Sequence, residues 1–94
     1  MELEFDPAKD ARNIAKHGIS LADAMLVYEN PGKVTWPTNR ADSLEDRFMD
    51  IAMVEVAGVV LVLVYVVRGN AVRAISMRRA SKTERKRYEE ARKN

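Results

Sequence analysis

The feature that most constrains this chain is the run Val59 to Val67 (VVLVLVYVV), which is β-branched and aliphatic throughout apart from one Tyr. That is the composition of a strand buried at the centre of a sheet. Arg68-Gly69-Asn70 breaks the run with residues that tolerate positive φ, and Ala71 to Met77 resumes it, so Val56 to Arg79 reads as a β-hairpin. The two arms differ. The first is apolar, whereas Arg73, Ser76, Arg78 and Arg79 interrupt the second and bring guanidinium groups onto or beside the sheet. From Val56 to Val67 the apolar stretch, broken by Gly58, is too short to span a bilayer and suits a core element.

Ninety-four residues make one small domain, residues 1–94. The absence of cysteine excludes disulfides, thiolate metal sites and a Cys nucleophile. Met1-Glu2-Leu3-Glu4 is acidic where a signal peptide needs a basic region, so a cytoplasmic protein is expected. The net charge of +2 hides an asymmetry: residues 1–67 hold six Lys/Arg against eleven Asp/Glu, residues 68–94 ten against three. The basic third is either a footprint for a polyanion or a solvated charged helix.

Along the chain, Glu2 to Phe5 alternates like a short edge strand. Asp6-Pro7 is a helix start, Ala8, Ala11, Ile14 and Ala15 recur at helical spacing, and Gly18 closes the helix. Ser20 and Asp23 start a second helix with the stripe Leu21, Ala24, Met25 and Tyr28, stopped by Asn30-Pro31-Gly32. A short strand near Val34–Trp36, a loop, a strand from Arg47 to Val56 and the hairpin follow. Ser81-Lys82-Thr83-Glu84 has capping-box spacing and opens a terminal helix from about Lys82 to Ala91. The expected fold is α+β: a short strand, two helices, three or four antiparallel strands and a C-terminal helix, with the helices on one face of the sheet.

Two-residue loops at Ala57-Gly58 and Gly69-Asn70 put Asp50 opposite Tyr65 and Tyr65 opposite Ala74. One face then carries Met49, Ile51, Met53, Val62, Val64, Ile75 and Met77 toward the first two helices. The other carries Asp50, Tyr65, Ala74, Ser76 and Arg78 as a shallow polar trough. A three-residue second loop changes Tyr65's partner but leaves Ala74, Ser76 and Arg78 on a common face by their spacing.

Two motifs flank this sheet: Asp6-x-x-Lys9-x-x-x-Asn13-x-x-Lys16-His17-Gly18-Ile19-Ser20, and Arg73-x-Ile75-Ser76-Met77-Arg78-x-Ala80-x-x-x-Glu84-Arg85-x-x-Tyr88. With the strand start Arg47-Phe48 between them, the chain resembles the BrnT family, toxins of bacterial type II toxin–antitoxin systems. It departs from the family pattern at Phe5, where Trp is usual, and at Ala52, where Gly is common. The resemblance implies a RelE-like fold, ribonuclease activity that blocks translation, and inhibition by a BrnA-type antitoxin with a ribbon-helix-helix DNA-binding domain. It further implies two copies of each chain in the complex, with operator DNA bound only through the antitoxin.

The residue types agree with that chemistry. Cleaving RNA through its own 2′-hydroxyl needs a base, an acid for the leaving oxygen, and cations around the phosphorane-like transition state; it needs no metal, and no cofactor is expected. Arg78 and Arg85 can converge on one phosphate through their planar forks, and Tyr88 can donate a hydrogen bond or stack on a base. His17, the only histidine, suits proton transfer, or else it serves the helix dipole beside the cap Gly18. With Arg47 these four form the candidate catalytic set; Lys9, Lys16, Arg73 and Arg79 are the candidate RNA-binding cations. Glu84 is better explained by its capping box than as a base, and Asp42, Glu45, Asp46 and Asp50, three of them in an expected loop, read as a solvated acidic loop in preference to a hard-metal site. The rival readings are a non-catalytic nucleic-acid-binding module and a regulatory partner whose basic face binds an acidic antitoxin.

Overall fold

The computed structural model describes residues 1–38, 46–55 and 57–93. Its elements are β1 (Glu2–Glu4), α1 (Pro7–His17), a 3-10 turn (Leu21–Asp23), α2 (Met25–Tyr28), β2 (Val34–Pro37), β3 (Arg47–Val54), β4 (Val59–Arg68), β5 (Ala71–Arg79) and α3 (Lys82–Arg92). The strands form one sheet in the order β1-β5-β4-β3-β2. Four are antiparallel as expected, but β1 joins β5 in parallel, making the sheet five-stranded and mixed. The expected second helix is split, because Ser20 caps Ala22 N–H and the chain first makes the 3-10 turn. Of the acidic loop, Asp42 and Glu45 lie outside the described residues, as does Val56.

The apolar run behaves as its composition demands: β4 is the central strand, with β3 on one side and β5 on the other. Gly69 has φ 55° in the Gly69-Asn70 turn, as a two-residue hairpin with positive φ at its first position requires. The β3–β4 turn is longer than Ala57-Gly58, since Val54 pairs with Val59; Asp50 therefore lies opposite Leu63, not Tyr65. Tyr65 does lie opposite Ala74. The register then shifts: Val64 pairs with Ser76, and Ile75 is the extra residue of a bulge. The bulge puts Ala74 and Ser76 on opposite faces, so fixed spacing along the strand is not the rule here.

Helices cover both faces, not one. Leu21, Ala24 and Val27 pack with Ala52, Val54, Leu61, Leu63, Tyr65, Ala74 and Met77 to form the larger core. On the other face Tyr88 of α3 packs against Ile51, Val60 and Val62. The expected assignment of faces is thus reversed for most residues: Asp50, Tyr65 and Ala74 lie under the first helical layer, and Met49, Ile51, Val62 and Val64 face α3's side. Asp50 is fully buried, and its carboxylate accepts Lys33 Nζ (2.7 Å), Thr35 Oγ1 (2.6 Å) and Tyr65 OH (3.0 Å). Burial first, and then this carboxylate, raise the Tyr65 pKa and keep the phenol protonated. The supposed trough wall is an internal polar network.

The first helix turns its apolar stripe outward. Ala8, Ala11, Ile14 and Ala15 are exposed, and the buried residue of α1 is Asn13. β1 is too short to flank all of β5, and Asn13 supplies the missing neighbour: its Nδ2 donates to Met77 O (2.7 Å) and to Ile19 O (2.8 Å), and its Oδ1 accepts Met77 N–H (3.2 Å). Leaving those strand groups unpaired costs about 1–3 kcal/mol each, a sum comparable to what burying three alanine methyls and Ile14 would return, and the rotation that turns Asn13 inward avoids that cost. Sheet-edge hydrogen bonding therefore sets the rotation of α1.

Candidate nucleic-acid interface

Cross-strand pairing fixes which side chains share the face opposite the first two helices. One row is Trp36 on β2, Met49 on β3, Val64 on β4 and Ser76 on β5. The next is Val34, Ile51, Val62 and Arg78. On the other side, Arg47 and Arg73 flank Val66, and Arg73 has Glu4 beside it on β1. Tyr88 covers the Ile51–Val62 end. Trp36, Met49, Val64 and Ser76 remain half-buried, bordered by cations.

Arg78 is held in place by the start of α3. Its Nη1 donates to Glu84 Oε1 (2.6 Å) and its Nη2 to Oε2 (2.9 Å). Glu84 also closes the capping box, accepting Ser81 N–H (2.9 Å) while its own N–H donates to Ser81 Oγ (3.1 Å). Chiefly through Arg78, the Glu84 pKa is lowered to about 2, and the same bond raises that of Arg78. The pair occupies two of the five guanidinium N–H groups and a longer bond from Nη1 to Arg79 O (3.4 Å) a third, leaving two able to reach a phosphate.

A second cationic region adjoins the first. Lys9, Arg12, Lys16 and His17 lie on the polar face of α1 and, with Asn13, Ile75 and Ser76, line an open hollow of about 330 Å³ at the β5 edge. Ser76 belongs both to this hollow and to the open sheet row, so the two surfaces are continuous.

The other candidates sit apart. Arg85 and Arg79 line a different hollow with Ala80 and Glu89, while Arg78 is engaged by Glu84. Tyr88 is only 4% exposed, and its hydroxyl accepts Met53 N–H (3.2 Å) and Arg92 Nη1 (3.1 Å). It anchors α3, and its buried ring is not available to a base. Among the described residues no three His, Asp or Glu gather to hold a metal ion, and no helix is long and apolar enough to cross a membrane.

Three residues of this surface lie outside the sequence-derived set. Arg12 shares the helical face of Lys9 and Lys16, a spacing visible in the sequence. Trp36 and Arg87 meet only in space, with the guanidinium carbon 4.5 Å from the ring centroid.

These features define a small α+β protein whose half-open sheet face is bordered by arginines and joined to a basic helix. Residues 5–84 match the family described as "Ribonuclease toxin, BrnT, of type II toxin-antitoxin system", and the chain belongs to that family. An antitoxin partner and an RNA substrate follow from that membership. No curated protein matches the chain.

Proposed function

We propose that this chain is an endoribonuclease that cleaves RNA across the face bearing Ser76 and Arg78, without a metal ion. The observation that carries this reading is the end-on Arg78–Glu84 pair, which holds a phosphate-binding guanidinium at the edge of the open row with N–H groups to spare. The RNA backbone crosses from Arg47 and Arg73 past Ser76 onto Lys9, Arg12 and Lys16. The 2′-hydroxyl gives up its proton and attacks the adjacent phosphorus, the bond to the 5′-oxygen breaks and that oxygen takes a proton from water, and Arg78 takes up the charge that grows on the non-bridging oxygens. His17, half-buried in the hollow that Ser76 also lines, is the side chain on this path that accepts the 2′-hydroxyl proton. Glu84, ionised and engaged by Arg78, is a poor base. Arg85 and Arg79, beside the entrance of α3, add longer-range attraction for the backbone.

The fold is read as RelE-like, the whole chain as one domain, and the site of action as the cytoplasm. The partner is read as a BrnA-type ribbon-helix-helix antitoxin, two copies of each chain forming a complex that touches operator DNA only through the antitoxin. The basic C-terminal third favours an acidic segment in that partner. The test is incubation of the purified chain with RNA in excess EDTA, with analysis of the new ends. Cleavage leaving 2′,3′-cyclic phosphates is expected; cleavage that stops with EDTA and returns with added divalent cation would overturn the metal-independent mechanism.

A further inference from the structure

Trp36 lies at the far end of the open row from Ser76, three strand-to-strand steps away, or about 14 Å at a spacing of about 4.8 Å. Its ring is half-buried against Met49 and the smaller core, which fixes its orientation, and one face is covered by the Arg87 guanidinium at 4.5 Å. Arg87 itself is exposed on α3. A partly exposed indole capped by the cation of an exposed side chain is an aromatic platform whose cover has somewhere better to go when a polyanion arrives: the guanidinium exchanges a ring for a phosphate, and a flat base replaces it on the ring. The distance from Arg78, one row over and across the same strands, means that the stacked base belongs to a neighbouring nucleotide and not to the one being cleaved.

We infer that Trp36 and Arg87 form a nucleobase-stacking subsite, in which an unpaired RNA base displaces the Arg87 side chain from the Trp36 ring and Arg87 takes the adjoining phosphate. This rests on the reading of the open face as the RNA path. It gives a use to a bulky aromatic on the edge strand β2, where a β-branched residue would complete the smaller core with less exposed surface. The subsite tolerates any base, because stacking uses the π-face each base has, and it requires a single strand, because a paired base is already stacked.

The chain has one tryptophan, so emission excited at the red edge of its absorption, where the three tyrosines do not absorb, reports this ring alone. The experiment titrates the intact protein with a 2′-O-methyl oligoribonucleotide, which cannot be cleaved, and in parallel with inorganic polyphosphate, which has charge but no bases. Anisotropy of labelled oligonucleotide measures binding, and RNA cleavage is assayed alongside. Quenching by the oligonucleotide and not by polyphosphate is the expected result. Trp36→Phe should keep KM near that of the parent, and Trp36→Leu should raise it by between about 5-fold and 100-fold with kcat little changed. Arg87→Ala should keep the quenching and lower the salt dependence of binding. RNA that binds and is cleaved without altering Trp36 emission, or that alters it no more than polyphosphate does, would overturn the subsite while leaving the ribonuclease reading intact. A protein that neither binds nor cleaves RNA would overturn both.

Discussion

Arg78 and Glu84 meet end-on, Nη1 to Oε1 at 2.6 Å and Nη2 to Oε2 at 2.9 Å, and the same carboxylate caps the helix that follows the strand. One side chain therefore fixes both the start of α3 and the direction of the guanidinium. Because the Glu84 pKa falls from its ordinary 4.5 to about 2, its pairing contributes stability that is fully present above about pH 4.5 and is lost as pH falls toward 2. The melting temperature should be flat from pH 7 to 5 and then decline. Glu84→Gln should remove about 1–2 kcal/mol of that acid-range change, less than the full shift implies because the pair is partly solvated. Circular dichroism melts of both proteins across this range check it; parallel curves would show that Glu84 is not the group responsible.

Arg78→Ala should lower RNA cleavage by about 10²–10³-fold, the usual cost of a lost donor at a developing oxyanion, and should lower the melting temperature at neutral pH about as much as Glu84→Gln does, since the same pair is lost. Arg78→Lys should recover little, since an ammonium cannot reproduce the end-on pair with Glu84. Single-turnover cleavage on folded variants decides this, and undiminished cleavage by Arg78→Ala would remove Arg78 from the site.

The hairpin, both helix caps, the capping box at Ser81 and Glu84, and the α+β order were legible because each depends on local residues: an apolar run, a Gly with positive φ, an Asp or Ser before a helix. What was not legible depends on pairing between distant segments. A one-residue bulge at Ile75 is enough to part Ala74 from Ser76, and nothing local marks it. Asn13 reads as a surface residue until the unpaired Met77 groups at the β5 edge are known, 64 residues away. Arg78 was legible as an arginine at the end of its strand, but its pairing with Glu84 was not, because Glu84 was assigned to capping alone. Tyr88 read as a functional aromatic because its burial is set by which face α3 covers, and Trp36 was passed over because its neighbour Arg87 lies on another element.

Asn13→Ala should destabilise the protein by about 2–4 kcal/mol, since three hydrogen bonds are lost and the Met77 N–H and C=O are left without their partner. Asn13→Asp should not restore stability, because a carboxylate cannot donate to Met77 O or Ile19 O. Urea unfolding measures both. A loss below about 0.5 kcal/mol, typical of a surface substitution, would mean that the edge is satisfied without Asn13.

Asp50→Ala should cost about 3–5 kcal/mol, as expected for removing one member of a buried charged network, with Thr35 and Tyr65 losing their shared acceptor. Any fall in cleavage should follow the fraction unfolded, since Asp50 lies on the covered face. Measuring activity well below the variant's melting temperature separates the two effects; inactive but fully folded protein would return Asp50 to the functional site.

The hollow at the β5 edge gives the last prediction. If the backbone passes from Ser76 onto α1, then Lys9, Arg12 and Lys16 each neutralise phosphate and release counterions on binding. For a single strand the slope of log K against log salt changes by about 0.7 per contact, so replacing all three by Gln should make it shallower by about 2. All three side chains are exposed and Gln is a good helix former, so the fold should stand. Cleavage at saturating RNA should persist, because these residues bind the strand beyond Arg78, while KM at physiological salt should rise. Binding of an uncleavable oligonucleotide at several salt concentrations gives the slope directly. An unchanged slope would mean that RNA leaves the sheet by another route, and that the cationic face of α1 is reserved for the antitoxin.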